Sequence, residues 1–265
     1  MKIYISADIE GVTGSTHWDE ADKAKADYAA FREQMTAEVC AACEGALKAG
    51  ATELLVKDAH DSGRNILASR LPLEARLARG WSGHPYGMVE GIDPSFQALV
   101  MIGYHSRAGS TANPLAHTMS GNIVHVKVNG QFASEFMINT YTAALEGVPT
   151  VFVSGDAGLC EDASKLVPGL SSVAVKFGVG ESTNSIHPQL ALDQIREGVF
   201  HSLKGDLNRC LVKLPKQFEV EIRYQSQSRA YEKSFYPGAR LADPFTIQFT
   251  ASSYFDVLRF GSFVF

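Results

Sequence analysis

Four short apolar runs punctuate the first 155 residues, and each stops abruptly in polar side chains. IYISA at 3–7 runs into Asp8-Ile9-Glu10-Gly11, and ELLV at 53–56 into Lys57-Asp58-Ala59-His60. ALVMIG at 98–103 runs into Tyr104-His105, and PTVFV at 149–153 into Ser154-Gly155-Asp156. Continuous apolar runs of this length predict strands buried on both faces of a sheet. Residues 24–49 are rich in Ala, Glu and Lys, with Phe31, Met35, Val39, Ala42 and Ala46 at helical spacing. Gly50 follows where a left-handed C-terminal cap falls. The pattern is a β–α–β unit. Such crossovers make their strands parallel and bring the carboxyl ends to one edge, where α/β folds build their sites.

Residues 123–128, Asn129-Gly130 and 131–133 predict a hairpin with a two-residue turn. A helix is expected over 135–146, closed by Gly147. Beyond 156 the pattern loosens, with a helix over 188–203 and strands near 173–176, 218–223 and 245–250. The expected fold class is α/β: a layered sheet with a parallel β–α–β core, helices on both faces, and a smaller α/β C-terminal part. On this reading residues 1–155 form a metal-binding α/β domain and 156–265 a second subdomain.

Composition narrows the function classes. The 265 residues carry 24 basic and 29 acidic side chains, a net charge of −5 with no basic run. That excludes sequence-independent nucleic-acid binding, which needs a clustered positive surface. No secretory leader pattern opens the chain, and no stretch reaches the roughly 20 apolar residues of a membrane helix. Cys40, Cys43, Cys160 and Cys210 have no framework spacing, so the reading is a reduced, cytoplasmic protein. Cys40-x-x-Cys43 lies mid-helix, away from the helix N-terminus that activates a thiolate, and reads as packing.

Asp8-x-Glu10 is the first informative element. At strand spacing the two carboxylates point the same way, and unneutralised they repel. A divalent cation relieves the repulsion, and carboxylates with imidazoles suit zinc, cobalt or manganese. Asp58-x-His60 ends a second strand and His105 a third, with His117 twelve residues on and Glu135 opening a helix. Each has a bland reading alone: solvated loop acids, an Asx turn, a carboxylate at the positive end of a helix dipole. Three strand ends that each present Asp, Glu or His favour a shared metal site.

The ordered set is similar to the zinc-dependent D-aminopeptidase family, the DppA-like M55 metallopeptidases. The matching stretches are KIYISADIEGVTG at the start, VKDAH at 56–60, MVEGID at 88–93, GYHSR at 103–107, AHTM at 116–119 and SEFMIN at 134–139. SGD at 154–156 and AVK at 174–176 extend it, most strongly before residue 157. The resemblance implies metal ligands at Asp8, Glu10, His60, His105 and Glu135, with Asp8 shared by two zinc ions per chain. Cobalt or manganese could substitute. It places the catalytic histidine at His117, as proton donor, oxyanion stabiliser or nucleophile. It further implies peptides with an N-terminal D-amino acid such as D-Ala, and a homodecamer of two stacked five-membered rings.

Around this set, Asp58 is a candidate partner for the second ring nitrogen of His60. Asn139, one turn after Glu135, is a candidate to orient a ligand or substrate. Asp156 is read as lining the pocket. His84 reads as a loop residue near the site mouth, His125 as a surface residue and His187 as a capping residue. No Gly-x-Ser-x-Gly elbow occurs, and Gly11-x-x-Gly14 is no dinucleotide fingerprint. The competing readings are another dinuclear amidase or phosphoesterase, with Arg107 as the obvious phosphate contact, and a metal-stabilised peptide-binding module that would not need His117.

Overall fold

The computed structural model describes residues 1–265. In chain order the first half contains β1 (Lys2–Ala7), α1 (Tyr28–Lys48), β2 (Glu53–Asp58), β3 (Ala75–Ala78), β4 (Ala98–Tyr104), β5 (Ile123–Val128), β6 (Gln131–Phe132) and α2 (Glu135–Leu145). The second contains β7 (Thr150–Asp156), α3 (Ala157–Leu166), β8 (Ser171–Val179), β9 (Ser182–Ser185), α4 (Pro188–Lys204), β10 (Phe218–Tyr224), α5 (Gln227–Lys233), β11 (Arg240–Asp243), β12 (Thr246–Ala251) and α6 (Tyr254–Val264).

A seven-stranded sheet runs in the order β3-β2-β1-β4-β7-β8-β9. All its pairings are parallel except that of the edge strand β9. The four apolar runs are its central strands, and β4 and β7 are buried along their whole length. From β1 the chain winds outward to β2 and β3, then returns to β4 and winds the opposite way to β7 and β8. Right-handed crossovers therefore set α1 on one face and α2 and α3 on the other. The reversal between β1 and β4 opens a crevice at their carboxyl ends, the usual ligand position in an open α/β sheet. Asp8 follows β1 and His105 follows β4.

The second sheet, β11-β12-β10-β5-β6, is antiparallel. Its β5–β6 hairpin turns on Asn129 (φ 51°) and Gly130 (φ 78°), the paired positive φ of a type I′ turn. Both sheets draw strands from either side of residue 155. β8 and β9 join the large sheet, whereas the β5–β6 hairpin joins the small one. α2 is wedged between the layers. Phe136 and Ala143 belong to the core of the large sheet, whereas Met137, Ile138 and Tyr141 belong to that of the small one. A helix with apolar contacts on both sides needs no polar face, and nine of its eleven residues are buried.

α1 spans 28–48 and Gly50 caps it with φ 101°; residues 24–27 stay outside the helix. His187 accepts from the Gln189 amide as the N-cap of α4, with Pro188 at its first position. No helix is long and apolar enough to cross a membrane.

Candidate metal centre

Two glycines let the loops that carry the acidic and imidazole groups touch. The Gly11 amide donates to the Gly103 carbonyl at 2.8 Å. A Cβ on Gly11 would fall 1.6 Å from the Tyr104 carbonyl oxygen, and one on Gly103 (φ 70°) 2.3 Å from that of Asp8. No larger residue fits either position. The loop after β1 therefore lies directly on the end of β4, which brings Asp8 and Glu10 to His105.

Asp8 Oδ1 lies 3.3 Å from His60 Nδ1, and its Oδ2 lies 3.5 Å from His105 Nε2. Glu10 Oε2 is 3.0 Å from His60 Nδ1, and Glu135 Oε2 is 3.3 Å from His105 Nε2. Glu135 opens α2, where Ser134 caps the helix by accepting from the Met137 amide. Asp8, Glu10 and His105 present ligand atoms within 4.8 Å of one another, as do His105, His117 and Glu135. The five residues expected as ligands, Asp8, Glu10, His60, His105 and Glu135, and His117, thus converge from the segments after β1, β2 and β4 and from the start of α2.

Backbone carbonyls fix which imidazole nitrogen faces this cluster. His60 Nε2 lies 2.8 Å from the Ala21 carbonyl and His105 Nδ1 2.9 Å from that of Ser106. With the far nitrogen donating to a carbonyl, the near nitrogen is the one positioned to offer its lone pair to a metal, as metal-binding histidines require. His105 Nε2 and Glu10 Oε2 are buried with no hydrogen-bond partner, although His60 Nδ1 is within 3.0 Å of the latter. Atoms this close and out of line for hydrogen bonding suit a shared cation. The donor set fits zinc in ligand type and orientation.

Electrostatics agree. Burial, reinforced by Glu10, pushes the Asp8 carboxyl up to about 6. Burial acts the same way on Glu10 and Glu135, but the imidazoles prevail. His60 holds Glu10 well below the carboxylate range, and His105 and His117 bring Glu135 down to about 2. Burial opposes charge on His60 and His105, yet the facing carboxylates raise both well above the usual imidazole value. Three buried carboxylates thus draw positive charge into the crevice, from protons in the absence of a metal.

The cleft above the cluster encloses about 450 Å³ and includes Trp18, Trp81 and His117 among its lining. The His117 ring stacks on His105 (centroids 4.3 Å, planes 13° apart) and meets the edge of Trp18 at 5.3 Å. Its Nδ1 lies 2.9 Å from the Leu115 carbonyl, so Nε2 faces the cleft as an acceptor. Met119 adopts the left-handed φ of 62°, and its amide donates to Glu135 Oε1 at 2.7 Å.

Several residues expected around the ligands have other partners. Asp58 does not touch His60. Its carboxylate accepts from the amides of Asn65 (2.5 Å) and Ile66 (2.7 Å) and from Asn65 Nδ2 (2.8 Å). It folds back the loop that carries His60. Asp58→Ala should lower stability by about 1–3 kcal/mol for each backbone amide left unpaired in the buried loop. Urea unfolding reads this, and an unchanged midpoint would remove the clamp. Asp156 is fully buried and outside the cleft. It caps α3 and holds Ser106 and Asn113. Asn139 donates to the Tyr104 hydroxyl and Met88 Sδ. Arg107 stacks over Phe132 at 4.1 Å, and no Lys or Arg lines the cleft. His84 is exposed and packs on Tyr86, while His125 contacts Glu221.

Sequence reasoning missed Trp18, Trp81, the Ala21 carbonyl and the mechanical role of Lys176. Lys176 Nζ, buried, donates to the carbonyls of Glu10 (2.5 Å) and Ser15 (2.6 Å) and ties down the first loop. A backbone carbonyl leaves no trace in residue identity. A lysine inside an apolar strand, by contrast, is a legible signal.

Comparison with known proteins gives concordant results. The model of the D-aminopeptidase family, peptidase M55, matches residues 1–263. A D-aminopeptidase of Bacillus subtilis (strain 168) is 30% identical over 253 residues, 95% of this chain and 92% of that protein. The solved structure of the Zn-dependent D-aminopeptidase DppA from Bacillus subtilis, described as a self-compartmentalizing protease, superposes with a TM-score of 0.91. That match is at 28% identity, covering 98% of this chain and 95% of the other.

Proposed function

The chain belongs to the D-aminopeptidase family, and from that membership we propose that it is a zinc aminopeptidase that releases the N-terminal D-amino acid of short peptides. D-Ala is the expected first residue. The observation that carries the reading is the buried cluster of three carboxylates and two carbonyl-anchored imidazoles, roofed by a third imidazole whose Nε2 lies 3.5 Å from Glu135 Oε1. Asp8, Glu10, His60, His105 and Glu135 would hold two zinc ions, with Asp8 between them. Bound zinc supplies Lewis acidity, polarising a carbonyl and lowering the pKa of water to about 7.

The chain's own groups do the rest. His117 Nε2 takes a proton from the attacking water and passes it to the leaving amine. The Leu115 carbonyl keeps its ring from turning, and stacking on His105 fixes its height over the cluster. Trp18 packs against the ring in a T-shaped contact at 5.3 Å. The acidic cleft draws the peptide's ammonium terminus, and the lack of Lys and Arg in its lining disfavours a phosphate ester.

The relative's self-compartmentalization supports assembly of this chain into a homo-oligomer, which we read as two stacked five-membered rings. Leu73, Val179, Phe235 and Phe263 are largely exposed and would be covered by neighbouring copies.

Protein purified without chelator and analysed by metal mass spectrometry should carry about two zinc ions per chain, an expectation set by the two-cation geometry. It should hydrolyse D-Ala-D-Ala, and dialysis against a chelator should abolish turnover until zinc, cobalt or manganese is restored. A chain that stays metal-free after zinc reconstitution would remove the reading.

A further inference from the structure

A second cavity of about 300 Å³ adjoins the metal-ligand cleft and shares Trp81, Met88 and Met119 with it as a common wall. Its character is different. Three carboxylates of the cluster line the cleft, whereas no Asp, Glu, Lys or Arg lines this cavity. Its other walls include Ile138 of α2 and Leu258 of α6, both buried. Met119 links the two spaces mechanically, because the residue whose side chain forms the wall also donates its amide to Glu135.

Discrimination between mirror-image residues requires three attachments around the α-carbon. On the aminopeptidase reading, on which this inference rests, the amine and the carbonyl of the first residue are both held over the metal ligands. The third attachment is the side chain. We propose that the Ile138–Leu258 cavity receives the side chain of the substrate's N-terminal residue and that its position, to one side of the cluster, sets the preference for one hand. Its chemistry suits an uncharged apolar group, and its volume accommodates one larger than methyl.

Ser262 provides the test. It stands exposed on α6 at the rim of the cavity, where its hydroxyl bonds only to the Leu258 carbonyl of its own helix. Ser262→Phe narrows the cavity from outside, without touching a core position. The zinc-loaded full chain and this variant are assayed on the p-nitroanilides of D-Ala, D-Leu and L-Leu, and on the dipeptides D-Ala-D-Ala and D-Ala-D-Leu. In the variant the D-Leu to D-Ala ratio of kcat/KM should fall roughly tenfold or more, the scale of one or a few methylenes in an apolar pocket. The D-Leu to L-Leu ratio should shrink with it. Preference between the two dipeptides, which differ only at the second residue, should hold.

A uniform loss on every substrate, or unchanged ratios in an active variant, would overturn the cavity's role. A shift confined to the dipeptide pair would reassign the cavity to the second residue and overturn the proposal. A wild-type chain that carries zinc and hydrolyses no D-aminoacyl substrate would remove the aminopeptidase reading and this role together.

Discussion

Replacing His117 by alanine should lower kcat/KM on a D-Ala peptide by about 10²–10⁴-fold, the range of a positioned general acid–base group. The zinc content should stay unchanged. The two readouts separate two roles that distance alone leaves together, since His117 Nε2 is only 3.5 Å from Glu135 Oε1 and its ring is stacked on His105. His117 differs from the imidazoles assigned as ligands in exposure. Its side chain is 15% accessible, against 9% for His60 and 0% for His105. It therefore meets whatever enters the cleft, which His60 also lines, while His105 is closed off beneath it. Activity and metal analysis on the same preparation decide the matter. Loss of zinc in the variant would make His117 a ligand, and full activity would end its catalytic assignment.

Asp8→Asn should cut zinc affinity by more than about 100-fold, beyond what loss of an outer-shell partner costs. The substitution keeps the shape, and an oxygen to accept the Ile9 amide, which now donates to Oδ1 at 2.9 Å. It removes the charge of the one carboxylate that faces both His60 and His105. Competition with a chromogenic chelator measures the change. Wild-type affinity at both positions would show that Asp8 does not bridge. His60→Ala serves as the comparison, because its Nδ1 faces Asp8 and Glu10 while Glu135 lies with His105. It should weaken one position more than the other.

Much of this centre is legible in the amino-acid sequence, for a physical reason. Parallel β–α–β winding carries strand ends to one edge, so Asp8, His60 and His105 are gathered by topology rather than by proximity along the chain. Apolar continuity in 98–103 and 149–153 is enough to mark the strands on which this depends. Where one side chain serves another through backbone, sequence is mute. Asp58 is two residues from His60 and by spacing is its natural partner, yet it binds the amides of Asn65 and Ile66 because the chain turns back on itself there. Asp156 has the residue type of a site group, but the helix that follows β7 claims its carboxylate as a cap. The small sheet is harder to foresee, since β5 and its partner β10 lie almost a hundred residues apart and β11 is exposed throughout. Trp18 belongs to a single short turn after the first loop, with no periodicity to announce it.

The placement of α2 ties the centre to the whole molecule. Its first residue is Glu135, and its length is gripped by two cores at once. Loosening either layer should free the same rod and with it the position of Glu135. The centre thus acts as a sentinel of global order. On the proposed assignment, a copy whose layers have not both closed on α2 leaves Glu135 unplaced, and hydrolysis should therefore track global order.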